Sequence, residues 1–257
     1  MSPLKNSLKR YIAILLLIYP LVLSAQSRKV ENQPTFDYAK YRFGFILALN
    51  QMDFSIKPVE GLYYKTFNAV QAIEINADSA MIYSIESKPA MGFTVGIIGV
   101  MRLGEYTDLR FIPSLAFGER YIDYRFLKYR NSQTELVEVR KNIASTFIET
   151  PLHLKYKSKR LNNFRAYLLG GPNVRFDLAS DAKKKQNSAE IQVKLNRIDP
   201  AMELGVGFDF YFEWFKLGTE LKMSYGLTDV LKRENNIYTL GIEQLRSKIF
   251  QISFTFE

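Results

Sequence analysis

The sequence predicts an all-β protein, an eight-stranded antiparallel transmembrane up-and-down β-barrel. Three observations predict it. Large apolar residues recur at every second position in eight separate stretches, the positions between them carry glycine and charges of both signs, and the connections alternate between long and short. A period of two belongs to strands with two unlike faces. The composition agrees, since 257 residues hold 16 Tyr and 19 Phe, types favoured in strands and at membrane interfaces.

The elements follow in order. Residues 1–25 have the three parts of a cleaved signal peptide. Lys5, Lys9 and Arg10 form the charged region, Tyr11 to Leu23 the apolar region, and Leu23-Ser24-Ala25 the small residues before Gln26. The apolar run is shorter than the roughly 20 residues of a spanning helix. Residues 26–40 are expected to be a periplasmic N-terminal segment and 41–257 the outer-membrane β-barrel.

The first strand is predicted over Tyr41 to Phe54, with Tyr41, Phe43, Phe45, Leu47 and Leu49 on one face. The second runs over Pro89 to Arg102, the third over Asp108 to Tyr124 and the fourth over Ser145 to Ser158. The fifth, over Phe164 to Leu178, loses its alternation at Gly170-Gly171-Pro172, where a bulge is expected. The sixth spans Pro200 to Phe212, the seventh Phe215 to Gly226, and the last Ser247 to Phe256.

The second face decides the orientation. It offers Gly92, Thr94 and Gly96 on the second strand, Glu203, Gly205, Gly207 and Asp209 on the sixth, and Lys216, Gly218, Glu220 and Lys222 on the seventh. A soluble lipocalin-like barrel would place its aromatics inside and its lysines and glutamates outside. Here the apolar runs match the roughly 9–11 residues of a membrane strand, and the small and charged face suits a narrow polar lumen.

The connections after odd-numbered strands, about 55–88, 125–144, 179–199 and 227–246, are long, and those after even-numbered strands are short. Outer-membrane barrels have short periplasmic turns and long outer loops, so the chain should start on the periplasmic side. The first long connection carries apolar alternation of its own around 69–75 and 81–85, and is expected to extend the wall as a hairpin above the membrane.

In a barrel of about eight strands, side chains nearly fill the interior. Arg42, Arg110, Arg120, Lys155 and Lys222 are therefore expected to interleave with Glu149, Glu203, Asp209 and Glu220 as a lumen charge network, because an unpaired charge there is costly. Such a tube passes no protein.

With no Cys and one histidine, His153, disulfides, thiolate chemistry and a histidine metal cluster are excluded. No cofactor is expected. His153, Glu149 and Ser114 could face one lumen, but a lone lumen histidine among carboxylates is more often structural than catalytic, and the chain reads as a non-enzyme. The formal charge is +9. An exported chain rarely meets nucleic acid, so anionic lipid or an acidic partner is the better reading. Lys183-Lys184-Lys185 in an outer loop reads as a solvated tip, with lipopolysaccharide phosphate as the alternative. The short turn holding Lys159, Arg160 and Asn163 has more positive charge than chain reversal needs. It could meet either an acidic periplasmic partner or lipid headgroups.

Several segments go beyond a generic barrel. Glu149 to Tyr156 and Tyr167 to Pro172 resemble strand signatures of Bacteroidota outer-membrane β-barrels. The segments Pro34-Thr35-Phe36-Asp37, Met52-Asp53-Phe54, Leu109-Arg110-Phe111-Ile112-Pro113, Phe117-Gly118-Glu119-Arg120 and Lys155 to Asn163 resemble the PorT family, called SprT in gliding bacteria. So do Phe176 to Ser180, Glu203 to Asp209 and the closing Phe254-Thr255-Phe256-Glu257. The resemblance implies an accessory component of the type IX secretion system, which exports proteins with a C-terminal signal domain and supports gliding in some species. Other secretion-system outer-membrane and periplasmic proteins would be its partners. The alternative is a general eight-stranded barrel for envelope integrity or small-solute passage.

Overall fold

The structure is a computed structural model and describes residues 31–180 and 191–257. The expected signal peptide and the Lys183-Lys184-Lys185 run lie outside the described residues. In chain order the strands are β1 (Tyr41–Pro58), β2 (Thr66–Asn68), β3 (Ser79–Arg102), β4 (Thr107–Phe111), β5 (Ser114–Arg130) and β6 (Gln133–Glu149). Then come β7 (Leu152–Lys157), β8 (Phe164–Asp177), β9 (Ile198–Tyr211), β10 (Lys216–Gly226), a one-turn helix α1 (Ile237–Leu240) and β11 (Ile242–Phe256). Each wall strand pairs antiparallel with its neighbours, and β1 pairs with both β3 and β11, which closes the ring. β2 is a flap paired only with β3.

Eight spans make the wall, because β4 and β5 are two parts of one span, and β6 and β7 are two parts of the next. Their breaks fall at Ile112-Pro113 and Thr150-Pro151, where proline removes a ladder donor. The breaks lie side by side: the Ile112 amide donates to the Pro151 carbonyl at 3.2 Å, and the Ile97 amide to the Pro113 carbonyl at 3.1 Å. The bulge expected at Gly170-Gly171-Pro172 is corrected by this arrangement. β8 keeps unbroken register with β9 from Phe164 to Phe176. The irregularity is across from it, at Thr150-Pro151, whose Thr150 amide reaches the Val174 carbonyl. Glycine at 171 allows the approach, since a Cβ there would sit 2.0 Å from the Leu152 carbonyl oxygen.

The faces are disposed as the alternation predicts. Tyr41, Phe43, Phe45, Leu47 and Leu49 are exposed on β1, with Phe43 at 74 %, while Arg42, Ala48 and Asn50 between them are buried. Phe250, Ile252 and Phe254 continue this band on β11, and Leu204, Val206 and Phe208 on β9. Burying such a surface in lipid removes the cost that water would impose on it. At the end with short turns, Tyr41, Tyr106, Tyr156, Phe212 and Trp214 are exposed, an aromatic girdle of the kind found at a membrane–water boundary.

At the other end the wall continues past the band. The connection expected over about 125–144 is instead the upper half of the β5–β6 hairpin, closed by Asn131 and Ser132 with φ of 48° and 64°, the type I′ geometry that suits strand twist. Residues 81–85 likewise belong to β3, while 69–75 form turns beside β2. The outward face there is charged: Arg140 pairs with Asp123 at 2.7 Å and Arg125 with Glu138 at 2.7 Å. The inward face reverses character along one strand. On β5 it reads Ser114, Ala116 and Arg120 within the lumen, then Ile122, Tyr124 and Phe126 above it, all buried.

Those upper residues join a single apolar core with Phe67, Ile82, Val230, Leu231, Tyr238 and Leu245 from the long connections. Tyr238 meets Tyr124 edge-on at 5.0 Å, and Tyr124 stacks on Phe126 at 5.7 Å. The molecule is therefore polar inside where lipid surrounds it and apolar inside where water does.

Candidate functional site: the lumen and its two ends

Lumen-facing side chains come from every span, and their burial makes pairing obligatory. Arg110 meets Glu220 at 2.5 Å, and the Tyr167 hydroxyl donates to the same carboxylate at 2.8 Å. Lys155 reaches both Asp209 oxygens at 2.9 Å. Glu203 collects Lys222 at 3.1 Å, His153 Nε2 at 2.7 Å and the Asn173 amide at 2.7 Å. Arg42 pairs with Asp108 at 2.6 Å.

Each residue of the expected network therefore lies in the lumen, with two qualifications. Arg120 is held by hydroxyls, donating to Ser145 Oγ at 2.6 Å and Ser247 Oγ at 3.0 Å, with Asp177 at 3.9 Å. Glu149 accepts from Ser114 Oγ at 3.4 Å and makes no ion pair among the described residues. The structure adds Asp108, Lys157, Arg175, Asp199 and Glu257, and brings into the network Lys216, which the sequence had placed on the polar face without giving it a partner. Lys157 meets Asp108 at 2.8 Å, Arg175 meets Asp199 at 2.9 Å, and Lys216 meets Glu257 at 2.8 Å. The signal was available, because Asp108 keeps step with Arg110, Lys157 with Lys155, and Lys216 with Glu220.

His153 and Ser114 are both buried, yet they are not partners. His153 is turned to Glu203 and Ser114 to Glu149, so the base-to-hydroxyl contact of nucleophilic catalysis is not formed.

The short-turn end is closed by the chain's own N-terminal segment. Asn32 and Gln33 are bound by Arg160, whose guanidinium donates to both of their carbonyls and sits 3.7 Å from the Tyr211 ring centre. Asp37 follows, meeting Arg165 at 2.5 Å and the Tyr211 hydroxyl at 3.0 Å. Burial raises the Asp37 pKa, but the Arg165 charge and the Tyr211 hydrogen bond outweigh it, so the carboxyl is held below its ordinary value. Phe36 lies against Lys216 and Arg42 at 4.9 and 5.5 Å, covering the lowest lumen cations.

Arg160 and Asn163 are thereby directed into the protein itself, with the Asn32 amide donating to Asn163 Oδ1 at 2.8 Å. Of the expected partner contact, Lys159 is the residue that faces solvent. The long-loop end is closed by the apolar cap. Met52, Ala116, Phe147 and Ile249 form a small apolar layer in the lumen below it, and the Arg120 guanidinium lies between the two, 4.2 Å from the Phe54 ring centre of the cap and 5.2 Å from that of Phe147.

The chain is similar to the crystal structure of Neisserial surface protein A, NspA, at 11 % identity and TM-score 0.37, over 84 % of this chain and 98 % of that one. It is also similar to OprG of Pseudomonas aeruginosa, at 9 % identity and TM-score 0.36, over 83 % and 93 %. A third is the N-terminal β-barrel domain of Pseudomonas aeruginosa OprF, at 13 % identity and TM-score 0.30, over 82 % and 96 %. Curated protein sequences gave no match. Residues 24–232 match the family described as outer membrane protein beta-barrel domain. The chain belongs to that family, and its place is the outer membrane of a diderm bacterium.

Proposed function

We propose that this barrel is an accessory component of the type IX protein secretion system, needed for export of C-terminal-signal cargo and acting through protein contacts. The observation that carries the reading is the lumen: buried, mutually paired charges fill it and both of its ends are covered. A folded or unfolded cargo has no route through such a tube, so a role in secretion is one of contact, assembly or stabilisation. The resemblance of several segments to the PorT family is what supports choosing this machinery. The separation of Ser114 from His153 supports a non-enzymatic role.

The surfaces left for partners are the wall, the outer cap and the periplasmic rim. At the rim, Lys159 supplies the accessible positive charge for an acidic periplasmic partner, while Arg160 acts earlier by holding residues 31–38 in place. Deleting the gene should trap C-terminal-signal cargo in the periplasm, as read by fractionation and immunoblotting. Unchanged secretion with a leaky envelope or lost solute uptake would favour the general-barrel reading. Lys159→Glu should lower secretion while leaving the heat-modifiable, folded barrel intact; full secretion by that variant would remove the rim from the argument.

A further inference from the structure

Just beyond the lipid-facing band, at the long-loop end, Arg246 and Lys248 stand two residues apart on one face of β11, about 7 Å from each other by strand geometry. In register, Arg246 lies opposite Ser55 of β1, and Lys248 lies between Asp53 of β1 and Tyr225 of β10. The Tyr225 hydroxyl donates to Ser55 Oγ at 3.4 Å, and the Arg246 guanidinium is 5.9 Å from the Tyr225 ring centre. Lys248 Nζ sits 5.1 Å from the Phe250 ring centre, at the upper limit of the band.

Two observations single out this place. First, neither cation forms an ion pair among the described residues, and Arg246 Nε is buried with no hydrogen-bond partner. Cations nearby on the same wall are matched, Lys57 by Glu243 and Lys88 by Glu86. Asp53, the carboxylate nearest in register to Lys248, instead accepts from the Ser87 hydroxyl and the Phe54 amide. Second, an apolar groove of about 700 Å³ in the wall has its upper edge at Phe250 and Met223, directly below, and runs over Leu221, Ile252, Leu49 and Leu204.

We propose that this is a binding site for a phosphorylated lipid of the outer leaflet. The phosphate lies between Arg246 and Lys248, with the Ser55 hydroxyl, which accepts from Tyr225, as a further donor, and an acyl chain lies in the groove. Long loops face the cell surface in outer-membrane barrels, which puts the two cations at headgroup depth. Charge-assisted hydrogen bonds from a guanidinium and an ammonium suit a phosphate, and the groove gives the acyl chain more contact than a convex wall would.

The test uses the full-length mature protein in detergent, with lipid A and enzymatically dephosphorylated lipid A as probes, and counts bound lipid by native mass spectrometry. The folded protein should retain lipid A roughly tenfold better than the dephosphorylated form. Arg246→Gln/Lys248→Gln should abolish that preference, whereas Lys57→Gln/Lys88→Gln should keep it. Leu221→Trp, which fills the groove, should lower retention of both probes. Equal retention of the two lipids by the wild type, or an unchanged preference in the Arg246/Lys248 variant, overturns the proposal. Heat-modifiability on gels verifies that each variant is a folded barrel.

Discussion

At the scale of single residues, burial turns charge into structure. Arg110 and Glu220 are fully buried against each other, so removing one partner strands the other. Glu220→Ala should cost about 3–5 kcal/mol, and adding Arg110→Met should recover part of it, as read by the urea midpoint of the heat-modifiable form. Asp37 works at the rim. Its lowered pKa means that its contribution is present above the unfolded value, near 3.9, and is lost as pH falls through the folded value. The protection of residues 32–39, taken relative to intrinsic exchange at each pH, should therefore be high at pH 7 and fall as pH drops below about 3.9. Asp37→Asn should reproduce the loosening at pH 7, by about 1–2 kcal/mol. The parity of the sequence was enough to find Arg42, Arg110, Lys155 and their kind. It could not say that Arg120 would rest on serines, that Glu149 would face Ser114, or that Arg160 would turn inward, because those outcomes depend on which strands become neighbours.

At the scale of elements, the solvent outside sets the meaning of an alternating pattern. β5 never changes its inward face, yet that face passes from Arg120 to Ile122, Tyr124 and Phe126 as the strand leaves the membrane. A search for outward apolar residues ends where lipid ends, which is why the upper β5–β6 hairpin reads as a loop in the sequence. The same reversal makes the cap a water-soluble core on a membrane scaffold. Tyr238→Ala, which removes an aromatic from the centre of that core, should destabilise the cap by about 3–5 kcal/mol. Added protease should then cut the outer connections, while the membrane-embedded fragment stays heat-modifiable. Wholesale loss of the barrel in that variant would show that cap and wall fold as one unit. The paired breaks at Pro113 and Pro151 were legible only as prolines. Gly171→Val should disrupt the wall there, because the Leu152 carbonyl occupies the space a side chain needs.

At the scale of the whole molecule, closure has two parts, a charge-filled lumen and covered ends. Reconstituted into planar bilayers, the mature protein should show no steady conductance comparable to a porin; sustained single-channel steps would contradict the packed lumen. Deleting residues 31–38 should uncover the lower cations around Lys216 and Arg42 without opening a route past Arg110 and Glu220, so conductance should stay low in that variant as well.

The sequence by itself determined the number of spans, which face meets lipid and where the short turns lie, because a strand's two faces alternate with an exact period and lipid tolerates only one kind of face. Only the tertiary structure decided which buried charges become partners, that the N-terminal segment closes one end, and that the long connections fold into an apolar cap. Those are contacts between residues far apart in the chain, and their selection depends on barrel register and on the space left inside, neither of which any local pattern contains.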